Sequence, residues 1–231
     1  MNKVFENSGI QIVGDEKELI SKLNSVKSFI YDWDGVFTNG EKDFELQSRF
    51  NEIDSMGTNL LRFAYYLKNK HLPLSAIISG ENNKAAFTFT NRECFHSNYF
   101  KVANKIDAAT HFCLSHSCKM NEIAFVFDDV LDLSVAAKCG LRIFISRHSS
   151  PAFHDYVIKN NLADIIVNAS QTQNPVRLIC EFLIDAYGLF DAVISQRISY
   201  SDHYKNYIEF RRTIKPVYFT VKEGKITETT V

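Results

Sequence analysis

The feature that most constrains the fold of this chain is the alternation of short apolar runs with longer stretches of helical periodicity. Apolar runs predict buried strands at Ser28–Tyr31, Leu74–Ile78, Ile123–Phe127, Leu141–Ile145 and Asp164–Val167. Helical periodicity predicts helices at Thr58–Lys70, Asn82–Phe89, Lys105–Leu114, Asp132–Lys138, Pro151–Lys159 and Pro175–Ala186. Strands and helices in turn predict an α/β fold, in which a Rossmann-like open parallel sheet carries helices on both faces.

Three further segments add to this core. Tyr200–Ile214 has the pattern of an amphipathic helix, and Val217–Val221 and Lys225–Thr229 predict a hairpin around Glu223-Gly224. Nearer the start, Gly40–Asp54 mixes charged residues with Phe44, Leu46 and Phe50 at even spacing, which predicts a projecting β-hairpin.

Composition excludes several classes of function. With a net charge of −1, the chain has no sequence-wide field to attract nucleic acid or an anionic membrane. No apolar run is long enough to span a bilayer, and the first residues lack the pattern of a signal peptide. The odd count of five cysteines, without a C-x-x-C pair, predicts a reducing, cytoplasmic setting rather than a disulfide framework.

Two aspartates follow the first predicted strand in Tyr31-Asp32-Trp33-Asp34-Gly35. Both belong at the carboxyl end of the strand, where open parallel sheets bind ligands. At about 4–5 Å their ionised carboxylates repel by roughly 4 kcal/mol at an effective dielectric near 20. The pair therefore predicts a nearby cation or cationic side chain, although a strand followed by an Asp-Gly turn is also common in α/β proteins.

Other polar residues fall at corresponding places further along the chain. Ser79-Gly80 ends a strand, Lys105 begins a helix, and Asp128-Asp129 with Asp132 ends another strand. Hard carboxylate oxygens, with few imidazoles or thiols, favour Mg²⁺. A carboxylate held against this ion can attack phosphorus, while a lysine and a hydroxyl bind the transferring oxygens and a second carboxylate moves the proton.

The ordered motifs resemble those of the haloacid dehalogenase superfamily of Mg²⁺-dependent phosphatases. The closer likeness is to the 3-deoxy-D-manno-octulosonate 8-phosphate and nonulosonate 9-phosphate phosphatases, and it covers roughly residues 26 to 187. The family's D-x-D-G-V-x-T-D-G start is similar to Asp32–Gly40, with Asn39 in place of the last Asp. The remaining family motifs match Phe50–Gly57, Ser79-Gly80, Asn104-Lys105, Asp128–Asp132 and Ala163–Ile166.

The resemblance implies a role for each matched residue. Asp32 would be the nucleophile and Asp34 the general acid and base, while Ser79, Gly80 and Lys105 would bind the phosphoryl group. Mg²⁺ would bind Asp32, the backbone carbonyl of Asp34, and Asp128, with Asp129 or Asp132 supporting it through water. The implied organisation is an N-terminal extension (1–25), a catalytic domain (26–187) and a C-terminal extension (188–231) packed on the same domain.

Three positions depart from the family pattern. Phe127 stands where relatives have glycine and would crowd the loop, while Glu81 and Ile53 stand where many relatives have arginine. Fewer cations and an added carboxylate disfavour an anionic sugar acid as substrate. These changes also motivate an alternative, a non-catalytic or weakly active family member that binds a metabolite or a partner protein.

The spacing between the motifs leaves no room for a separate cap domain, so the site must be closed in another way. In the resembling family a tetramer closes it, and we therefore expect a homo-oligomer, with a tetramer favoured. The alternative is that the run after Ala186, which exceeds the usual family length, folds over the site of its own chain. Two other interpretations are weaker. A zinc site at His111–Cys118 matches no common spacing, and a phosphorelay receiver would carry its acidic pair first rather than last.

Overall fold

The computed structural model describes residues 3–45 and 47–231, and these form one nine-stranded sheet with helices packed on it. The described strands are β1 Ile10–Ile12, β2 Ser28–Tyr31, β3 Leu74–Ile78, β4 Ser97–Tyr99, β5 Ile123–Phe127, β6 Leu141–Ser146, β7 Ile165–Asn168, β8 Val217–Lys222 and β9 Lys225–Thr229. The described α-helices are α1 Glu16–Ser25, α2 Glu52–Asn69, α3 Lys84–Glu93, α4 Lys105–His116, α5 Leu133–Ala136, α6 Pro151–Lys159, α7 Pro175–Ala186, α8 Phe190–Ile198 and α9 Asp202–Thr213.

The sheet has the strand order β1-β7-β6-β5-β2-β3-β4-β8-β9. The strands from β7 to β8 in this order are parallel, whereas β1 and β9 are antiparallel to their neighbours. The predicted α/β fold with a largely parallel sheet is therefore confirmed. Strand β2 lies between β5 and β3, so the carboxyl ends of these three strands are adjacent.

The sheet is covered on both faces, and its central strands β2, β3 and β5 are buried at every position except the partly exposed Leu74. Phe29 and Tyr31 of β2 belong to the core shared with α2 and α7, whereas Ile30 belongs to the core shared with α4. Such continuous burial is typical of parallel sheets flanked by helices. Among the described residues no helix is both long enough and apolar enough to cross a membrane.

The described part of Gly40–Asp54 does not form the predicted hairpin. Residues 40–45 and 47–51 are a loop, closed by a hydrogen bond from the Asp43 N–H to the Gln47 carbonyl (2.9 Å), and α2 begins at Glu52. Phe44 is fully exposed, whereas the Phe50 ring packs on Phe89 at 5.3 Å between centroids. The evenly spaced aromatics thus do not share one face; Leu46 lies outside the described residues.

Both chain ends contribute strands to the sheet. The predicted C-terminal helix and hairpin are present as α9, β8 and β9, and β8 pairs in parallel with β4. Near the start, β1 pairs with β7, and Asp15 caps α1 by accepting from the backbone N–H groups of Lys17 and Glu18. Elements β1, α1 and α8 were not among those expected from the sequence.

Candidate active site

The predicted site residues lie at the carboxyl edge of the sheet, at its centre. Asp32 directly follows β2, Ser79 follows β3 and Asp128 follows β5. The backbone N–H of Asp32 donates to the Val126 carbonyl (2.9 Å), which continues the β2–β5 pairing up to the site. Lys105 is the first residue of α4.

Three carboxylates meet at this edge. One oxygen from each of Asp32, Asp128 and Asp132 lies within 4.8 Å of the others. The Lys105 ammonium bridges two of them, with Nζ 2.6 Å from Asp32 Oδ1 and 2.6 Å from Asp132 Oδ1. Because Asp32, Asp132 and Lys105 are all buried, solvent screens these charges only weakly.

In this cluster the carboxyl groups outnumber the positive charges close to them. Burial, followed by repulsion from Asp32 and Asp132, raises the pKa of Asp128 to about 8. Burial and the Asp32 carboxylate likewise raise the pKa of Asp132 to about 7. Burial by itself would lower the pKa of Lys105, but the Asp32 and Asp132 carboxylates raise it above its ordinary value. The Lys105 ammonium, with the Arg147 guanidinium 3.9 Å from Asp128 Oδ2, thus faces three carboxyl groups, an arrangement that favours an added cation.

The residues present fit a divalent metal ion. Asp128 Oδ1 is buried without a hydrogen-bond partner in the described part of the chain, which leaves an acceptor available as a ligand. Gly35 lies directly against this carboxylate: a Cβ there would be 1.8 Å from Asp128 Oδ2. The donors are all hard carboxylate oxygens, the ligand type that Mg²⁺ prefers.

Asp129 and Asp132, the two residues expected to support the ion, lie in different surroundings. Asp129 is exposed and its Oδ1 accepts from the Val130 N–H (2.7 Å), at the start of a 3₁₀ turn over Val130–Asp132. Asp132 is buried, and its Oδ2 accepts from the Asp129 N–H (3.2 Å) while its Oδ1 meets Lys105. Both side chains cap the turn, but the structure brings Asp132, not Asp129, into the carboxylate cluster, because Asp132 is buried beside Lys105.

The carboxylate of Asp34 is held by the loop that follows it. Its Oδ1 lies 2.8 Å from Lys42 Nζ and accepts a hydrogen bond from Ser48 Oγ at 2.8 Å. On the neighbouring strand, Ser79 is buried and its Oγ accepts from the Glu81 N–H (3.1 Å). Gly80 comes next, and a Cβ there would lie 3.8 Å from Leu131 Cδ1, an ordinary contact distance.

Arg147 is a residue that the sequence motifs did not identify. It directly follows β6, and its Nη2 donates to the carbonyl oxygens of Gly35 (2.5 Å) and Thr38 (3.0 Å). Its Nε lies 3.9 Å from Asp128 Oδ2. The order of the strands could have identified Arg147, because β6 is the neighbour of β5 and its carboxyl end lies at the same edge of the sheet.

A pocket of about 520 Å³ is lined by Thr38 and by Arg147, the residue whose Nε lies 3.9 Å from Asp128 Oδ2. A second arginine, Arg49, lines it, as do the polar residues Asn39 and Gln173. Asp54 lies at its wall, and burial raises the pKa of this carboxyl to about 6. The pocket is therefore polar and carries two fixed positive charges.

Phe127 does not crowd the site. Its side chain is fully buried in the core and stacks on Phe125 and Phe144, with centroids 5.8 and 5.4 Å away. The expectation that this bulky residue would disturb the loop is therefore wrong, because it is the last residue of β5 and points into the sheet packing. Glu81 and Ile53 are both exposed.

The zinc interpretation of His111–Cys118 is not supported by the geometry. Within residues 3–45 and 47–231, the aspartate cluster is the one group of three candidate ligands close enough to share an ion. His111 Nδ1 instead contacts the Tyr99 hydroxyl (3.0 Å), and Cys113 Sγ lies 3.6 Å from Met120 Sδ. These residues pack between α4 and the sheet.

No protein-family model and no curated protein sequence matches this chain. Solved structures do match it. A hydrolase of the haloacid dehalogenase (HAD) superfamily, subfamily III A, from Legionella pneumophila is 21% identical, with a TM-score of 0.61 over 79% of this chain and 95% of that chain.

Two phosphatase structures are similar to the same extent. The 3-deoxy-D-manno-octulosonate 8-phosphate phosphatase from Moraxella catarrhalis, solved with magnesium, phosphate and the sugar acid, is 20% identical (TM-score 0.60; 78% of this chain, 98% of that chain). The cobalt-bound enzyme from Haemophilus influenzae is 18% identical (TM-score 0.55; 73% and 93%). These likenesses show that the chain has the haloacid dehalogenase fold, as its motifs predict.

Proposed function

We propose that this chain is a Mg²⁺-dependent phosphatase that hydrolyses a small sugar or sugar-acid phosphomonoester through an aspartyl-phosphate intermediate. The observation that carries the proposal is the meeting of Asp32, Asp128, Asp132 and Lys105 at one sheet edge, next to Ser79 and Asp34. If these aspartates served only to cap helices, no buried lysine would be needed to bridge two of them.

Asp32, Asp128 and the backbone carbonyl of Asp34 would hold the ion, with Asp132 in support; Asp129 is the alternative supporting residue. When bound, Mg²⁺ supplies positive charge that lowers the repulsion between a carboxylate nucleophile and an anionic phosphate. The partnerless, buried Oδ1 of Asp128 supports this assignment, because an ion would satisfy it.

The chain's own residues then account for each step. An Asp32 carboxylate oxygen attacks phosphorus, and the bond from phosphorus to the ester oxygen breaks while Asp34 donates a proton to that oxygen. In the second half, Asp34 takes a proton from water, the water oxygen attacks phosphorus, and orthophosphate leaves with Asp32 restored. The Ser79 hydroxyl, Gly80 and the Lys105 ammonium bind the phosphoryl oxygens as their charge redistributes.

The neighbouring pocket supports a small, polar and anionic substrate. Arg49 and Arg147 line it together with amide and hydroxyl groups, a set that suits hydroxyls and a carboxylate. The cations absent at Ile53 and Glu81 are thus offset by cations from other positions. The structure solved with the sugar acid, from Moraxella catarrhalis, is consistent with this substrate class.

We further propose that the chain works as a homo-oligomer, with a tetramer favoured, in a reducing, cytoplasmic setting. In the described residues only one loop and α2 separate β2 from β3, so closure of the site would come from another copy. Phe44 is fully exposed at the loop tip, and Val130 and Leu131 are exposed beside the aspartate cluster. All five cysteines are free thiols.

Release of orthophosphate from a panel of sugar phosphates, sugar-acid phosphates and nucleotides tests the enzymatic function. We expect Mg²⁺-dependent turnover that EDTA abolishes and that Asp32→Asn lowers by at least about 10³-fold. Asp155→Asn, an exposed aspartate on α6, is the matched control and should retain full activity. Equal turnover by the wild type and Asp32→Asn would contradict the proposal. Mg²⁺ binding without turnover on any ester would favour the non-catalytic alternative.

A further inference from the structure

Ser48 lies in the loop between β2 and α2 and is buried, with 3% of its surface exposed. Its hydroxyl oxygen has three polar neighbours. It contacts Asp34 Oδ1 at 2.8 Å, Trp33 Nε1 at 3.3 Å and the side-chain amide nitrogen of Asn83. No family motif includes this serine, and the proposed function does not use it.

The direction of the Ser48 hydroxyl proton is forced by these neighbours. A hydroxyl has one proton to donate and two lone pairs that accept. The indole N–H of Trp33 can only donate, and so can the amide nitrogen of Asn83, so these two groups occupy both lone pairs. The proton of Ser48 is therefore left with one acceptor, the Asp34 carboxylate.

The orientation of the Asn83 amide is fixed as well. Asn83 is 1% exposed and caps α3, and its Oδ1 accepts from the Ala85 N–H at 3.0 Å. Since the amide oxygen is held by the helix, the nitrogen must face Ser48. A chain of hydrogen bonds thus runs from the start of α3 through Ser48 to Asp34.

A second donor reaches the same oxygen of Asp34. Lys42 Nζ lies 2.8 Å from Oδ1, the atom that also accepts from Ser48. With Oδ1 occupied by two donors, a proton on this carboxyl has to be carried at Oδ2. Because only Oδ2 can carry the proton, the Asp34 carboxyl presents that proton from one side.

We propose that Ser48 is a positioning residue that holds Asp34 so that its proton is carried at Oδ2 and delivered to the leaving oxygen of the substrate. Lys42 completes the arrangement at Oδ1. The inference rests on the proposed function, because it assigns Asp34 the transfer of a proton during phosphoryl transfer. A misplaced proton donor slows the departure of a basic alkoxide far more than that of a weakly basic phenolate, which leaves without protonation.

The test compares kcat/KM for an alkyl phosphate, glycerol 2-phosphate, with kcat/KM for p-nitrophenyl phosphate. This constant reports the first phosphoryl transfer, in which the leaving oxygen is protonated. We expect Ser48→Ala to lower the alkyl-to-aryl ratio of kcat/KM by about 10- to 100-fold, with the aryl value nearly unchanged. Ser48→Thr, which keeps a hydroxyl, should restore most of the ratio.

Ser55→Ala is the matched control, since Ser55 is a buried serine whose hydroxyl donates to Glu93 at the end of α3 (2.9 Å) rather than to Asp34. It should leave the ratio unchanged. If the thermal midpoint shows that Ser48→Ala does not fold, Lys42→Met takes its place. Lys42 is the other donor to Asp34 Oδ1, its side chain is partly exposed, and the same alkyl-to-aryl ratio of kcat/KM is measured.

Equal losses on both esters, or no loss on either, would overturn the positioning role while leaving the phosphatase function standing. A wild type that hydrolyses neither these two esters nor any ester of the wider panel would overturn the proposed function and the positioning role together.

Discussion

Gly35 lies against the carboxylate of Asp128 with no space for a side chain, and its φ of +90° is one that other residues rarely adopt. An alanine Cβ at this position would be 1.8 Å from Asp128 Oδ2. We predict that Gly35→Ala displaces Asp128 from the carboxylate cluster and lowers the affinity for Mg²⁺ by about 10- to 100-fold. Isothermal titration calorimetry with Mg²⁺ measures this change directly.

Gly40→Ala separates the steric effect from backbone strain. Gly40 has a similar φ of +85°, but nothing lies within 4 Å of the position of its Cβ. We expect this variant to lose about 1–2 kcal/mol of stability from the left-handed backbone while its affinity for Mg²⁺ is kept. Equal affinities in the two alanine variants would show that the contact with Asp128 does not matter.

The carboxylate cluster also predicts how stability depends on pH in the metal-free protein. The pKa of Asp128 is raised to about 8 by burial and by its neighbouring carboxylates, from an ordinary value of 3.8. Between these values the native chain binds a proton that the unfolded chain does not. The free energy of unfolding contributed by this group therefore falls as pH rises and levels off above about pH 8.

Urea unfolding in EDTA between about pH 6.5 and about pH 8 measures this slope. Asp128→Asn removes the titrating group, so its free energy of unfolding should fall less over the same interval. Mg²⁺ should reduce the slope of the wild type, because the ion binds the ionised carboxylate and competes with the proton. Parallel slopes for the wild type and Asp128→Asn in EDTA would contradict the assignment.

The sequence could place the aspartates at one sheet edge but could not choose among them. The resemblance assigns Asp128 to the ion but leaves Asp129 and Asp132 open as the supporting residue, and only the structure shows that Asp132 is buried beside Lys105 while Asp129 is exposed. Arg147 was missed for a related reason. Its contact with Gly35 joins residues 112 positions apart, and no local pattern predicts such a pairing.

Among elements, the packing of α2 on α7 brings two backbones unusually close. A Cβ on Gly57 of α2 would lie 2.9 Å from the Arg177 Cα of α7. Asp54, one turn earlier, accepts from the Arg177 N–H (2.7 Å) and from the Asn174 side chain (3.2 Å), and so caps α7 from outside. The motif at Phe50–Gly57 therefore has a structural role in joining these two helices.

Gly57→Ala tests this close approach through the sign of its effect. Replacing glycine by alanine inside a helix ordinarily stabilises it by about 0.5–1 kcal/mol. Here we predict a loss of about 1–3 kcal/mol, because the added methyl group forces α2 and α7 apart. Urea unfolding gives the change, and an unchanged far-UV circular dichroism spectrum confirms that the helix persists. A raised unfolding midpoint would contradict the prediction.

The elements that the sequence predicted well are those whose burial is complete and local. Strands β2, β3 and β5 match their predicted bounds because nearly every side chain in them is buried, so that each run is apolar apart from the buried Ser28 and Ser75. Residues 40–45 and 47–51 form a loop rather than the predicted hairpin, because alternation of polar and apolar residues does not by itself show which apolar side chains are buried. Phe50 joins the Trp33 and Phe89 cluster, whereas Phe44 is in solvent.

At the scale of the whole molecule, the C-terminal segment is joined to the rest by buried polar contacts as well as by the sheet. Arg211 of α9 lies 3.0 Å from Glu93 at the end of α3, which also pairs with Arg92 (3.1 Å). The Tyr207 hydroxyl donates to the Asn59 carbonyl of α2 (3.0 Å) and is buried. We therefore expect the segment to unfold together with the rest of the chain.

Arg211→Ala and its neighbour Arg212→Ala form a matched pair for this expectation, since Arg212 on the same helix is exposed. Trp33, the single tryptophan, is buried near the aspartate cluster, so its fluorescence reports the unfolding of the central sheet. Arg211→Ala should lower the free energy of unfolding seen by Trp33 by about 1–3 kcal/mol, because it deprives a buried carboxylate of one partner. Arg212→Ala should change it by less than about 0.5 kcal/mol. If Arg211→Ala instead left the Trp33 transition unmoved while circular dichroism showed an earlier loss of helix, the C-terminal segment would be an independent unit.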